Sequence, residues 1–215
     1  AGVNLLDTAI NYRAQRGERV LGEALQRLPS LGLRRDEIVL CTKAGFLPFD
    51  GTVPQDREGF FRRVYLDSGL VPPGALAAGC HCLDPAYLRD QLGRSLRNLR
   101  QPAVDVFYLH NPETQLESVP RAEFDGRLAA AFALCEALCQ EGLVGRYGCA
   151  TWDGLRLPPE APAHLSLERL VELARQAGGA AHRFRVIQLP LSFALDEALL
   201  RRTQRLGGKL RTVLE

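Results

Sequence analysis

Short apolar runs alternate along the chain with longer stretches in which apolar residues return every three or four positions. The runs cover 3–6, 38–42, 104–109, 144–150 and 186–189, and most are rich in Val, Ile, Leu or aromatic residues. Strands this uniformly apolar are expected to be buried on both faces, as in a parallel sheet covered by helices. Between them the helical period predicts helices over 18–28, 86–99, 127–140 and 166–177. Alternation of this kind marks βα units around a parallel sheet.

The second helix is the best marked. Leu88, Leu92, Leu96 and Leu99 fall at spacings of four, four and three, one apolar stripe facing a sheet. Asp84 stands at its N-cap with Pro85 at the first helical position, and the glycines of "QAGG", 176–179, stop the fourth helix. The segment 46–83 breaks the alternation. It holds Pro48, Pro54, Pro72 and Pro73 directly after a strand, and reads as a long, partly ordered loop insertion, functional or lid-like rather than a core connection. At the two ends, "AGVNLLD" starts already inside a strand and "KLRTVLE" reads as the start of a helix, so an internal fragment of a longer chain is expected. Arg201, Arg202 and Arg205, in "LLRRTQR", read as a charged helix face.

Composition narrows the class without naming it. With 215 residues, 46% hydrophobic and 24% charged, the chain has material for one sizeable core, and a single domain over 1–215 is expected. A formal net charge of +2 gives no reason to expect a nucleic-acid partner or an anionic membrane surface. No apolar run reaches the roughly 18 residues of a bilayer span, and a cytoplasmic protein is expected. Cys41, Cys135, Cys139 and Cys149 lie in apolar segments, where a free thiol behaves as a small hydrophobe. The "CHC" at 80–82 lacks the second ligand pair that a zinc site needs, so no metal is expected.

Parallel strands in this number fit either an open doubly wound sheet or part of an eightfold barrel. A doubly wound nucleotide fold carries a Gly-rich turn after its first strand. Here that position reads "DTAINYRAQRGE", so the parallel (β/α)8 TIM barrel is favoured. In such barrels the C-terminal strand ends face the active site. The first run ends in Asp7, with Tyr12 in the following loop; the second ends in Lys43 and the third in His110. Singly, each reads as a turn former, a rim aromatic, a solvated strand end or a satisfied loop histidine.

Jointly they describe a chemistry. A tyrosine hydroxyl titrates at about 10, too weak an acid to protonate an alkoxide readily at neutral pH. An adjacent ammonium favours the phenolate, a carboxylate keeps that ammonium placed and charged, and a histidine can hydrogen-bond the same substrate oxygen. The set suits carbonyl reduction, with Tyr12 as general acid, Lys43 as activating cation, Asp7 as its partner and His110 as orienting donor. Side chains do not donate hydride, so a nicotinamide cofactor is implied.

"GVNLLDTAINY", "GERVLGEAL", "VLCTKAG" and "DVFYLHNPE" resemble the aldo-keto reductase family, whose catalytic Asp, Tyr, Lys and His fall on Asp7, Tyr12, Lys43 and His110. The resemblance covers nearly the whole chain. It implies a (β/α)8 barrel, here a partial one of about five βα units, that reduces a small-molecule aldehyde or ketone with NADPH or NADH. "YGCATWDG" is similar to the family's strand-end motif in which a Ser-Asn pair holds the nicotinamide carboxamide. Ala150 and Thr151 stand there, and of the two only Thr151 can donate and accept. "VIQLPLS" places Gln188 at the same carboxamide, and Asp7 would also contact the nicotinamide ribose. The resemblance further implies that the barrel's first strand and its C-terminal cofactor-binding strands are lacking. Two other readings stay open: a nicotinamide-binding regulatory subunit with little turnover, and a non-functional truncated piece.

The remaining candidates carry less. Trp152, just past a strand end, either walls the substrate pocket or packs. His81 reads as a loop residue that the insertion can also carry over the substrate, and His164 and His182 read as surface residues.

Overall fold

The computed structural model describes residues 2–215. β1 (Leu5–Asp7) leads through α1 (Arg16–Leu25) to β2 (Val39–Ala44). Next come α2 (Arg57–Phe61) and a small antiparallel pair, β3 (Leu76–Ala77) and β4 (His81–Cys82). Then follow α3 (Pro85–Leu99), β5 (Val104–His110), α4 (Arg121–Gln140), β6 (Val144–Ala150), α5 (Leu167–Gly178) and β7 (Phe184–Gln188). A short α6 (Glu197–Leu200) precedes a hairpin of β8 (Gln204–Leu206) and β9 (Lys209–Arg211). No helix among the described residues is long and apolar enough to cross a membrane.

The main sheet has the order β1-β2-β5-β6-β7, parallel throughout, with helical crossovers, and this is part of a (β/α)8 barrel. Side chains alternate across it with the period of two that a strand imposes. Leu40, Ala44, Phe107, Leu109, Tyr147 and Cys149 join Leu88, Leu92, Leu128, Phe132 and Leu170 of the helices in the main core. Cys41, Val106, Tyr108 and Ala150 form a smaller cluster from the opposite parity. Lys43 and His110 belong to that second set by register, two residues beyond Cys41 and Tyr108. Burial on both faces is therefore a property of β2 and β5; β1 is a sheet edge, and its Leu5 is exposed.

α3 forms where its stripe and cap place it. The Asp84 carboxylate accepts from Ala86 N at 2.8 Å, satisfying one of the orphan amides of the first turn. α4 begins six residues ahead of its predicted start, directly after Pro120, because Phe124 extends the buried face backwards by one turn from Leu128.

The structure corrects the sequence reading in three places. The segment 46–83 is no open lid: it folds into α2, a π-helical turn over Arg62–Leu66 and the β3–β4 pair, and buries Leu47, Tyr65, Val71 and Leu83 in the main core. Residues 209–215 do not begin a helix. Gly207 and Gly208 both take positive φ, 55° and 78°, and make the two-residue loop that pairs β8 with β9. Arg201, Arg202 and Arg205 accordingly share no helix face, since α6 ends at Leu200 and Arg205 lies in β8. Finally, His164 and His182 are buried rather than at the surface. His164 Nδ1 donates to Leu157 O at 2.9 Å, and Arg185 donates to His182 Nδ1 at 2.9 Å.

Candidate active site

β1 and β2 run parallel with Asp7 opposite Cys41, which sets Lys43 one pleat further along the same face. From there Lys43 Nζ donates to Asp7 Oδ2 at 2.6 Å and to Thr8 O at 2.9 Å. The ammonium also lies over the Tyr12 ring, 5.1 Å from its centroid. β2 pairs with β5, and His110 at the end of β5 meets Tyr12 edge to face with ring centroids 5.7 Å apart. The three polar strand-end residues of the sequence reading, Asp7, Lys43 and His110, are thus brought together with Tyr12 of the loop after β1.

A cavity of about 300 Å³ opens on this cluster. Asp7, Tyr12 and His110 line it from one side, and Thr151, Trp152 and Gln188 from the other. Thr151 N donates to Gln188 O at 2.8 Å, so the ends of β6 and β7 are tied together there. Trp152 is mostly exposed, which makes it a wall of the cavity and not a core residue. Thr151 Oγ1 is buried with no hydrogen-bond partner in the protein, as is His110 Nδ1. A buried hydroxyl left unpaired is costly, and one lining the same cavity as Gln188 fits an amide-bearing ligand such as a nicotinamide carboxamide. Ala150, on the inner face of β6, offers no polar atom to that ligand.

Burial, and after it the charge of Lys43, pushes His110 down from 6.5 to about 3. His110 is therefore a neutral ring near pH 7, able to donate or accept but not adding a second cation beside Lys43.

The residues that shape the Tyr12 loop are absent from the sequence reading. Arg13, Ala14 and Gln15 take φ of 52°, 55° and 67°, three successive left-handed residues between Tyr12 and α1. Such a run is costly for non-glycine residues, and it is clamped from outside. Gly51 N donates to Ala14 O at 2.9 Å, Gln15 Nε2 donates to Phe49 O at 3.1 Å, and Asn98 Nδ2 reaches both Gln15 Oε1 and Glu18 Oε2. Glu18 is buried and also accepts from Thr42 Oγ1 at 2.6 Å, next to Lys43. The "GERVLGEAL" stretch contains this glutamate, but its partners on α3 lie 80 positions away, beyond any local pattern.

Glu113 plays a similar part on the far side. Its buried Oε1 accepts from the amides of Trp152, Asp153 and Gly154 and so fixes the loop that carries Trp152. Cys80, His81 and Cys82 form no metal cluster: no group of three potential ligands is found among the described residues.

Known proteins share sequence and fold with this chain. The profile of the Aldo/keto reductase family matches residues 1–160. The NADH-specific methylglyoxal reductase of Escherichia coli is 28% identical over 152 residues, covering 71% of this chain and 38% of that protein. The D-threo-aldose 1-dehydrogenase of a Pseudomonas species is 31% identical over 148 residues, covering 69% of this chain and 40% of that protein. Among solved structures, an aldo-keto reductase from Bacillus halodurans in its holo form superposes with a TM-score of 0.53 at 20% identity, over 88% of this chain and 44% of its own. The chain spans less than half the length of each of these proteins. With 160 matched residues and a barrel segment in common, this chain belongs to the aldo/keto reductase family.

Proposed function

We propose that the protein reduces an aldehyde or ketone to the alcohol with NADPH or NADH, Tyr12 giving the proton. The observation that carries this reading is the convergence of Asp7, Tyr12, Lys43 and His110 at the ends of adjacent parallel strands around one cavity.

Each residue has a part that its surroundings support. Lys43 lies over the Tyr12 ring, so its charge stabilises the negative charge that develops on the tyrosine oxygen as the proton leaves. Asp7 and Thr8 O take two of the three ammonium protons and hold the cation in place. His110, neutral, hydrogen-bonds the substrate oxygen and fixes its direction toward Tyr12. Thr151 and Gln188 would hold a nicotinamide carboxamide and Asp7 its ribose; when bound, that group supplies the hydride.

The test is consumption of NADH and NADPH with methylglyoxal and a panel of simple aldehydes. Substitution Tyr12→Phe should lower turnover by roughly 100- to 10,000-fold with little change in cofactor affinity. A variant keeping most of its turnover would sink the assignment. The replacement of a polar residue by Ala150 favours one other reading, a nicotinamide-binding regulatory subunit. Saturable cofactor binding with no turnover on any carbonyl would support that alternative.

A further inference from the structure

We infer that His81 is a positioning residue for His110: a hydrogen-bonded chain Arg127–Gln115–His81 grips the His110 main-chain carbonyl and so aims the His110 ring. The inference rests on the role given to His110 above.

His81 is wholly buried in β4, and both ring nitrogens are engaged. Nε2 lies 2.8 Å from His110 O and Nδ1 lies 2.7 Å from Gln115 Nε2. The direction of each bond follows from the far end. Arg127 Nη1 donates to Gln115 Oε1 at 2.6 Å, and a guanidinium has no acceptor. That fixes the Gln115 amide with its NH2 toward His81, so His81 Nδ1 accepts and Nε2–H donates to the His110 carbonyl. Only this neutral tautomer satisfies both neighbours; an imidazolium would set N–H against N–H. Burial pushes His81 down to about 4, in the direction this arrangement requires.

The rest of the surroundings is built to let His81 in. A Cβ on Gly45 would lie 2.6 Å from His81 Nε2 and 2.8 Å from His110 O, so residue 45 must be glycine for the imidazole to reach the carbonyl. Phe46 stands edge to face against both rings, at 4.9 Å from His81 and 5.2 Å from His110. His110 Nδ1 makes no hydrogen bond within the protein. Its ring direction is therefore set by its main chain and by the edges of Phe46 and Tyr12, not by a bond to the ring. A change in the grip on the carbonyl is passed directly to the ring. The segment between β2 and α3 thus supports the strand end from behind instead of covering the substrate.

The experiment compares His81→Phe and His81→Gln with the parent protein. The first keeps an aromatic of similar size and removes both ring nitrogens; the second can still donate to the His110 carbonyl. Steady-state reduction of an aldehyde, NADPH affinity by Trp152 fluorescence, and the His110 imidazole carbon–proton signal in a protein NMR spectrum are read together. We expect His81→Phe to lower kcat roughly 10- to 100-fold, to leave NADPH affinity unchanged, and to shift or broaden the His110 signal. His81→Gln should restore most of the turnover and the signal. A His81→Phe protein with an unaltered His110 signal overturns the inference, as does a loss of cofactor binding in parallel with turnover that His81→Gln fails to rescue. Should the parent protein reduce no carbonyl, the reductase reading fails while the His110 signal still decides the role of His81.

Discussion

Lys43 and Asp7 form an ion pair whose partners sit at unequal depth: the side chain of Lys43 is 1% exposed and that of Asp7 28%, with Nζ 2.6 Å from Oδ2. The cation is the buried partner and the carboxylate is its link to solvent. Removing one end or the other therefore has different consequences. Asp7→Ala strands an ammonium in the sheet with one carbonyl for company, and should cost about 3–5 kcal/mol in urea unfolding. Lys43→Met fills the same space and leaves a carboxylate that water reaches, so stability should change little while turnover falls roughly 100-fold or more. Equal destabilisation by the two variants would show that the difference in depth carries no energy.

Two buried histidines set a pH dependence with a definite sign. His110 is held at about 3 and His81 at about 4, both below the ordinary 6.5. On acidification the unfolded chain takes up these protons first. Stability is therefore fully present above the unfolded value and is lost as pH falls below it, by up to about 1.4 kcal/mol per pH unit for each group. Burial raises the carboxyls of Glu18 and Glu113 and so works in the opposite sense. The informative quantity is the difference in slope between the parent protein and His110→Asn across pH 7 to 5. A flatter dependence in the variant is expected; parallel lines would show that His110 titrates as freely folded as unfolded.

The left-handed run after Tyr12 offers a gain in stability. Arg13 is exposed, takes φ of 52°, and makes no contact that its replacement would lose in the clamp formed by Ala14, Gln15 and Asn98. Glycine adopts this conformation without steric cost, partly offset by its greater freedom when unfolded. Arg13→Gly should thus stabilise the protein by about 0.5–1 kcal/mol, seen as a higher melting temperature, with turnover unaltered. A lower melting temperature would mean that the run is not strained.

How much of this was legible depends on where each residue's partners lie. Asp7, Lys43 and His110, with Tyr12 in the loop after Asp7, are legible as candidates because a parallel barrel fixes, by chain direction alone, which end of every strand faces the candidate site. α3 could be found because stripe, N-cap and proline all lie within its own sixteen residues, 84–99. Gly207 and Gly208 mark the hairpin of β8 and β9, whereas "KLRTVLE" taken by itself reads as the start of a helix. His81 and Glu18 escaped for a different reason. Their partners are His110 O and Asn98, 29 and 80 positions distant, and neither periodicity nor local composition carries information at that range. The segment 46–83 looked like a lid because its prolines and glycines hide how Leu47, Tyr65 and Val71 reach the core.

Thr151→Val is expected to move stability and cofactor affinity in opposite directions. Its hydroxyl is buried and unpaired in the protein alone, so the folded state bears the cost of desolvating it. Thr151→Val keeps the shape and removes that cost, and should leave the protein equally stable or slightly more so. If the hydroxyl holds a nicotinamide carboxamide, the same change forfeits a hydrogen bond of about 0.5–1.5 kcal/mol, a roughly 2- to 12-fold weaker Kd for NADPH or NADH. Fluorescence titration through Trp152, on the same cavity wall, reads the affinity directly. A variant that binds as tightly as the parent would remove Thr151 from the cofactor site and leave Gln188 and Asp7 as its polar contacts.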